Sequence, residues 1–458
     1  TIYQILTDRF ARPNGDTSIC GNLSNYCGGG WAGITNNLDY ITGLGFDAIW
    51  ISPIVENTEG GYHGYWAKDI NSLNSHFGSE QDFINMVQAC HSKGIWVMLD
   101  VVGNHVGPVG DDFSEITPFN QPEHYHPDCN ITSQDFATHN MDHIIHCRLA
   151  SLPDLNQSNQ FVHDTLLTWI HNIISKYNLD GIRIDTVPEV DKSFWSQFTQ
   201  SAGVYSVGEV FDGDMGFVAG YQGSVDGTLN YPLFFTIRSV FMQEQSANNL
   251  QSYYQAAANT FPDQSLLGVF IDNHDNARFL NSNGNIQRFK NALAFSLMAE
   301  GIPIVYYGDE QGYAGGNDPN NREILWTNLK NTNSEMYTFV KTVVNFRKTN
   351  QVWNSPQIQR YSDDNFYAFS RGDTLAAFSN TSNTINRELT YIPYSEGETV
   401  CNVFWSSDCV TVTGGKLQVT LLNGEVKLYA PKSSLDDSQE PEVGQFFDEL
   451  LKFLDEFQ

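Results

Sequence analysis

Short apolar runs ending in polar residues recur through most of the chain: "IYQILTDRF", "FDAIWISPI", "GIWVMLDVVGNH", "LDGIRIDTV", "VYSVGEVFDGD", "LLGVFIDNHD" and "GIPIVYYGDEQ". Each is short, rich in β-branched and aromatic residues and bounded by turn formers, so each reads as a buried strand. Apolar residues at helical spacing fill most of the intervals, as in 79–93, 161–177 and 286–299. Strand alternating with helix predicts a parallel α/β sheet. A weaker run, "GSVDGTLNYP", brings the strands to eight. Eight predicts a closed TIM (β/α)8 barrel rather than an open doubly wound sheet. No G-x-G-x-x-G follows any of these runs, which argues against a dinucleotide fold.

Two segments break the pattern. Between residues 106 and 160 periodicity is lost, and His, Asp and Pro accumulate around one cysteine pair. That is too long for an ordinary loop and predicts a subdomain inserted after strand 3, leaving 1–105 and 161–349 to the barrel. From about 350 the runs alternate ("NFYAFSRG", "TLAAFSN", "ETVCNVFW", "KLQVTLLNGEVKLYA"), which predicts an antiparallel β-sandwich domain over 350–432. The remaining 433–458 form an acidic tail, where Phe446, Leu450, Phe453 and Phe457 share one face of a predicted helix.

Composition narrows the choice of partner. With 24 Lys and Arg against 53 Asp and Glu, the chain carries a net charge of -29. Such a surface repels phosphate backbones and anionic membranes, so neither nucleic acid nor a membrane is an expected partner. It suits a neutral substrate or an acidic medium. No apolar run approaches the roughly 20 residues of a membrane span. The closely spaced pairs Cys20/Cys27, Cys129/Cys147 and Cys401/Cys409 read as disulfides of an oxidising compartment, with Cys90 left as a buried thiol. Asn22, Asn130, Asn156 and Asn380 lie in N-x-S/T sequons, and the chain opens on Thr1, so a secreted protein with its leader removed is expected.

In a barrel of this kind, function sits at the C-terminal strand ends. Those ends deliver Asp100, Asn104 and His105, then Arg183 with Asp185, then Glu209, then His274 with Asp275; the loop after the second strand adds His63, Tyr65 and Trp66. Arg183 and Asp185 project to the same side of their strand, either as a structural ion pair or as a charge placed for chemistry. Three carboxylates on one rim (Asp185, Glu209, Asp275) fit metal-assisted hydrolysis or glycoside hydrolysis. The histidines stand singly beside aromatic or carboxylate residues, which favours hydrogen bonding to sugar hydroxyls, and the rings of "GYHGYW" suit stacking on a sugar face.

Four motifs in order, "DVVGNH", "GIRIDTVPEV", "GEVFDGD" and "FIDNHD", together with "GYHGYW", "SLPDL" and "GGNDPNNRE", carry a resemblance. The chain resembles the α-amylases of glycoside hydrolase family 13, most closely the fungal Taka-amylase type, from Thr1 to about 430. The resemblance implies a secreted, monomeric, retaining, endo-acting enzyme cutting α-1,4 bonds of starch, glycogen or malto-oligosaccharides. It makes Asp185 the nucleophile, steadied by Arg183, Glu209 the acid and base, and Asp275 the grip on the 2- and 3-hydroxyls. His63, Tyr65, Trp66, His105 and His274 would surround the cleaved sugar, and Asp318 and Arg322 the next one. It also implies a structural Ca2+ on Asn104, Asp154 and the carbonyl of Glu189, with Asp142 as a further ligand. Where the fungal enzymes carry Lys-His on the leaving-group side, this chain has Pro188-Glu189. That departure leaves a maltogenic or transglycosylating relative as the alternative. A cysteine pair found late in the fungal barrels is absent. A non-catalytic sugar-binding member would be expected to lack one or more of the three acids, and all three are present.

Overall fold

The computed structural model describes residues 1–435; the helix expected within the tail lies outside the described residues. Eight parallel strands form the principal sheet: β1 (Ile2–Gln4), β2 (Ala48–Ile51), β3 (Trp96–Val101), β4 (Gly181–Ile184), β5 (Tyr205–Gly208), β6 (Gly227–Thr228), β7 (Gly268–Val269) and β8 (Ile302–Tyr306). They neighbour one another in chain order, and β1 pairs with β8 in parallel. A bridge from Leu229 to Gly268 joins β6 to β7 and closes the ring. All eight apolar runs therefore fold as barrel strands, though only two residues each of β6 and β7 join the ladder.

Alternation along the strands decides which residues enter the barrel. Ile2, Ala48, Trp50, Met98, Val207 and Ile304 cluster inside, while Tyr3, Ile49, Val97, Leu99, Ile182 and Val305 belong to the larger core beneath the helices. Each fully buried aliphatic or Phe side chain contributes roughly 1.5–3 kcal/mol. Toward the C-terminal rim the inward positions turn polar. Asp100 on β3 is in register with Arg183 on β4, so two opposite charges meet inside the barrel mouth.

The helices begin where the sequence supplies caps. Ser79 accepts from the Asp82 amide and Asp82 returns the bond, a capping box that starts Glu80–Ser92 and is worth about 1 kcal/mol. Asn159 caps Gln160–Tyr177, which ends at Asn178 in the left-handed region. Asn285 caps Ile286–Met298.

Between β3 and β4 the chain forms short helices, including Ser133–Thr138 and Met141–His146, stapled by the Cys129–Cys147 disulfide. Bridges from His105 to Asp154 and from Tyr125 to Leu155 close the base of this insertion. Beyond the barrel lie an antiparallel six-stranded sheet and the two-stranded pair Ile385–Leu389 with Leu417–Leu421, their facing side chains forming a separate core. Cys20–Cys27 and Cys401–Cys409 are also bonded, and Cys90 is a buried free thiol.

Candidate active site

Arg183 organises the mouth of the barrel. Its guanidinium is 1% exposed, with one nitrogen 2.9 Å from Asp100 Oδ1 and 2.8 Å from Asp185 Oδ1 and the other 3.0 Å from Glu209 Oε2. A buried cation is tolerated here because three carboxylates surround it, though its Nε has no hydrogen-bond partner. Asp100 also accepts from the Trp50 indole (3.0 Å) and the Tyr65 hydroxyl (2.6 Å). Asp100 is the member of this cluster whose part the sequence did not reveal: it ends a strand like the other acids, but only the register places it against Arg183.

The chain is bent to bring Asp185 and Glu209 together. The Asp185 amide donates to Val101 O and the Glu209 amide to Ile184 O, tying both strand ends to their neighbours. Thr186 takes a left-handed φ of 49°, rare for a β-branched residue, and its amide donates to Glu209 Oε2 at 3.1 Å. Burial, opposed by Arg183, pushes Asp185 up to about 6. Burial also pushes Glu209 up to about 8; Arg183 opposes this, while the charges of Asp185 and Asp275 reinforce it. Glu209, like Arg183, works against burial and favours the ionised form of Asp185. Two carboxyl groups in one site thus differ in proton affinity, the higher belonging to Glu209.

Asp275 completes the rim. Burial alone would raise its pKa, but His274, Arg322 and Arg183 outweigh burial and shift it down. Its carboxylate lies 3.4 Å from His274 Nε2 and 3.6 Å from Arg322. Burial pushes His63 and His274 down to about 3 and His105 to about 4, so all three rings are neutral near pH 7. His274 stacks on Tyr65 (5.4 Å between ring centres, 5° between planes), and its Nδ1 is 2.8 Å from the Gln4 amide. His63 Nδ1 accepts from the Tyr65 amide and the ring packs edge-on to Trp66, while His105 Nε2 sits 3.2 Å from Tyr65 O. Arg322 donates to Tyr62 Oη and lies 3.3 Å from Asp318, at the exposed edge of the cluster. Tyr62, from the same "GYHGYW" loop, belongs to this set too.

Residues 4–371 match the family described as alpha amylase, catalytic domain. The chain belongs to the alpha-amylase family. It is 36% identical to an alpha-amylase of Saccharomycopsis fibuligera, over 95% of this chain and 92% of that one. It is 37% identical to alpha-amylase 2 of Schwanniomyces occidentalis, over 96% and 91% of the two chains. An alpha-amylase structure from Malbranchea cinnamomea superposes with a TM-score of 0.90 at 36% identity, covering 96% of this chain and 97% of the other. This chain is therefore a glycoside hydrolase of the amylolytic kind.

Below the rim, the Asn104 side-chain oxygen faces Asp154 Oδ1 at 2.9 Å and the Glu189 carbonyl at 3.1 Å. Three acceptors converge with no donor between them; turning the amide over would supply one, and a cation would satisfy all three as they stand. Burial pushes Asp154 up to about 9, an energetic cost that an adjacent positive charge removes. The donor set is oxygen throughout, as hard cations require. Asp142 stands apart from this group: its side chain is 86% exposed and pairs with His146. The Glu189 side chain is buried, with Oε2 lacking a hydrogen-bond partner.

Proposed function

We propose that this amylase is a secreted, retaining, endo-acting enzyme that cuts internal α-1,4 bonds of starch or glycogen through a covalent glycosyl-enzyme. The observation that carries this reading is the pairing of Asp185 and Glu209, which share one guanidinium but differ in proton affinity. Asp185, ionised at neutral pH, attacks the anomeric carbon as the glycosidic C–O bond breaks. Glu209, still protonated, gives its proton to the departing oxygen. Water then enters; Glu209 takes its proton, the new C–O bond forms, and Asp185 leaves with the α configuration restored. Both carboxylates sit on the one Arg183 guanidinium, Asp185 at 2.8 Å and Glu209 at 3.0 Å, a close pairing that suits retention rather than the wider spacing of an inverting pair. Asp275 holds the 2- and 3-hydroxyls, His63, His105 and His274 bond neighbouring hydroxyls as neutral rings, Tyr65 and Trp66 stack, and Asp318 and Arg322 meet the next sugar. Asn104, Asp154 and the Glu189 carbonyl would hold a structural Ca2+, whose charge would compensate that of Asp154.

The test is digestion of soluble starch and maltoheptaose, followed by iodine staining and proton NMR of the anomeric region. Rapid loss of staining with α-anomers appearing first is the expected result; β-anomers appearing first would overturn the mechanism. Pro188-Glu189, on the leaving-group side, favours one second reading. Products longer than maltoheptaose would show transfer to sugar rather than to water.

Secretion has its own test. Asn22 and Asn130 are exposed, whereas Asn380 is 3% exposed and its Nδ2 donates to Gln245 O (2.6 Å) and Asp364 O (3.0 Å). A glycan on that nitrogen would break both bonds. Enzyme secreted from yeast and deglycosylated in heavy-oxygen water should carry the label at Asn22 and Asn130 and none at Asn380. A secreted enzyme bare at both exposed sites would refute this expectation.

A further inference from the structure

The insertion touches the loop that follows Glu209 through His139. His139 ends the helix Ser133–Thr138 in the left-handed region, at φ 50° and ψ 47°. Non-glycine residues rarely adopt that conformation unless their surroundings hold them in it. Here Asn140 Nδ2 donates to Asp135 Oδ1 at 2.8 Å, and the His139 and Asn140 amides both close back onto the helix. The turn aims the imidazole across to the barrel. Its Nε2 lies 2.8 Å from Asp212 Oδ2, and its ring stacks flat on Phe217, with centroids 3.9 Å apart and planes at 5°.

Asp212 is three residues beyond Glu209, and its other oxygen accepts from the Asp214 amide at 2.7 Å. Asp214 then caps the helix Met215–Ala219 that carries Phe217. Phe217 packs on Tyr221, a buried ring with the Lys192 ammonium 4.3 Å from its centre. The loop from Glu209 to Phe217 is thus fastened at one end by Arg183 and Thr186 and at the other by His139. Between the two fastenings Phe211 is 55% exposed beside the acid, with its inner edge on Tyr231. The His139 and Asp212 side chains are 31% and 21% exposed, and a polar contact this near the surface adds little to the stability of the fold. What the contact fixes is the distance between the insertion and the acid's loop.

We propose that His139 is a positioning residue: by clasping Asp212 and Phe217 it sets the wall against which the sugars on the leaving-group side lie. This rests on Glu209 being the acid, because the departing sugar must lie beside it. Releasing the clasp leaves Asp185, Glu209 and Asp275 in place and loosens only the wall beyond them. A shift of a fraction of an ångström there costs orientation of the leaving sugars rather than chemistry.

The experiment compares wild type with His139→Ala, Asp212→Ala and the double variant on two substrates. One is maltoheptaose labelled at its reducing end, which fills the leaving side; the other is an aryl maltotrioside, whose leaving group barely reaches it. Each single variant should lower kcat/KM on maltoheptaose by about tenfold, mainly through KM, and shift the preferred bond, while the aryl substrate changes by less than about twofold. The double variant should lose less than the product of the two single losses, because both substitutions break the contact between His139 Nε2 and Asp212. His139→Gln, which keeps a donor, should recover part of the loss. Equal losses on both substrates, an unchanged cleavage pattern with unchanged kcat/KM, additive losses, or a loss that follows a lowered melting temperature would each overturn the proposal. A wild type inert on both substrates would instead count against the amylase mechanism itself.

Discussion

Asp185→Asn lowers kcat/KM on every α-1,4-linked substrate by a factor on the order of 10⁵, the scale seen when a covalent nucleophile is removed. The amide has no charge to bond with the anomeric carbon, and no neighbour replaces it. Asp275 is held by His274 and Arg322, and Asp100 lies beneath Arg183, satisfied by Trp50 and Tyr65. The loss should be chemical rather than structural. Arg183 keeps Asp100 and Glu209 after the substitution, so no buried cation is stranded, and the unfolding temperature should stay within about 2 °C of wild type. The Asp185 charge is one of the influences raising Glu209, so the variant should also lower the Glu209 pKa. Hydrolysis of maltoheptaose over hours, with calorimetry alongside, checks both halves. Residual activity within 100-fold of wild type would remove Asp185 from the nucleophile's place.

The barrel was legible because its strands are buried on both faces, so their sequences are nearly continuous apolar runs bounded by helices with evident caps. β6 was the faintest, and the structure gives the reason: only Gly227 and Thr228 pair, and closure depends on a single bridge beyond them. The three acids could be read from position alone, since each ends a strand at the rim. Asp100 could not, because its partner lies 83 residues away and is fixed by sheet register rather than by any local pattern. The insertion was legible as a break in periodicity and no further: its helices are short, and the bridges at His105 and Tyr125 that seat it are long-range pairings. His139 gave no sequence signal, since a histidine closing a six-residue helix is ordinary until its ring is placed on Phe217. Asp142, expected as a further calcium ligand, lies instead at the surface beside His146. The family resemblance supplied the order of the motifs; the geometry supplied what Arg183 does with them.

Glu209→Gln lowers kcat on starch by about 10²–10⁴, the usual contribution of a positioned acid and base. The glutamine can still accept from the Thr186 amide, so the local backbone should hold. The pH profile separates a lost proton from a lost contact. In the wild type, kcat/KM falls as pH rises through about 8, where Glu209 gives up the proton the leaving oxygen needs, and falls as pH drops through about 6, where Asp185 takes up a proton. The two limbs belong to the coupled pair and should centre activity near neutrality. Glutamine has no proton to lose, so the variant's residual activity should keep the acid limb and lose the alkaline one. A maltosyl fluoride, whose leaving group needs little help from an acid, should then restore the first step without restoring the second. The glycosyl-enzyme on Asp185 would accumulate and add one maltosyl mass to the protein. A variant that keeps both limbs, or gains nothing from the fluoride, would mean that the proton comes from elsewhere in the site.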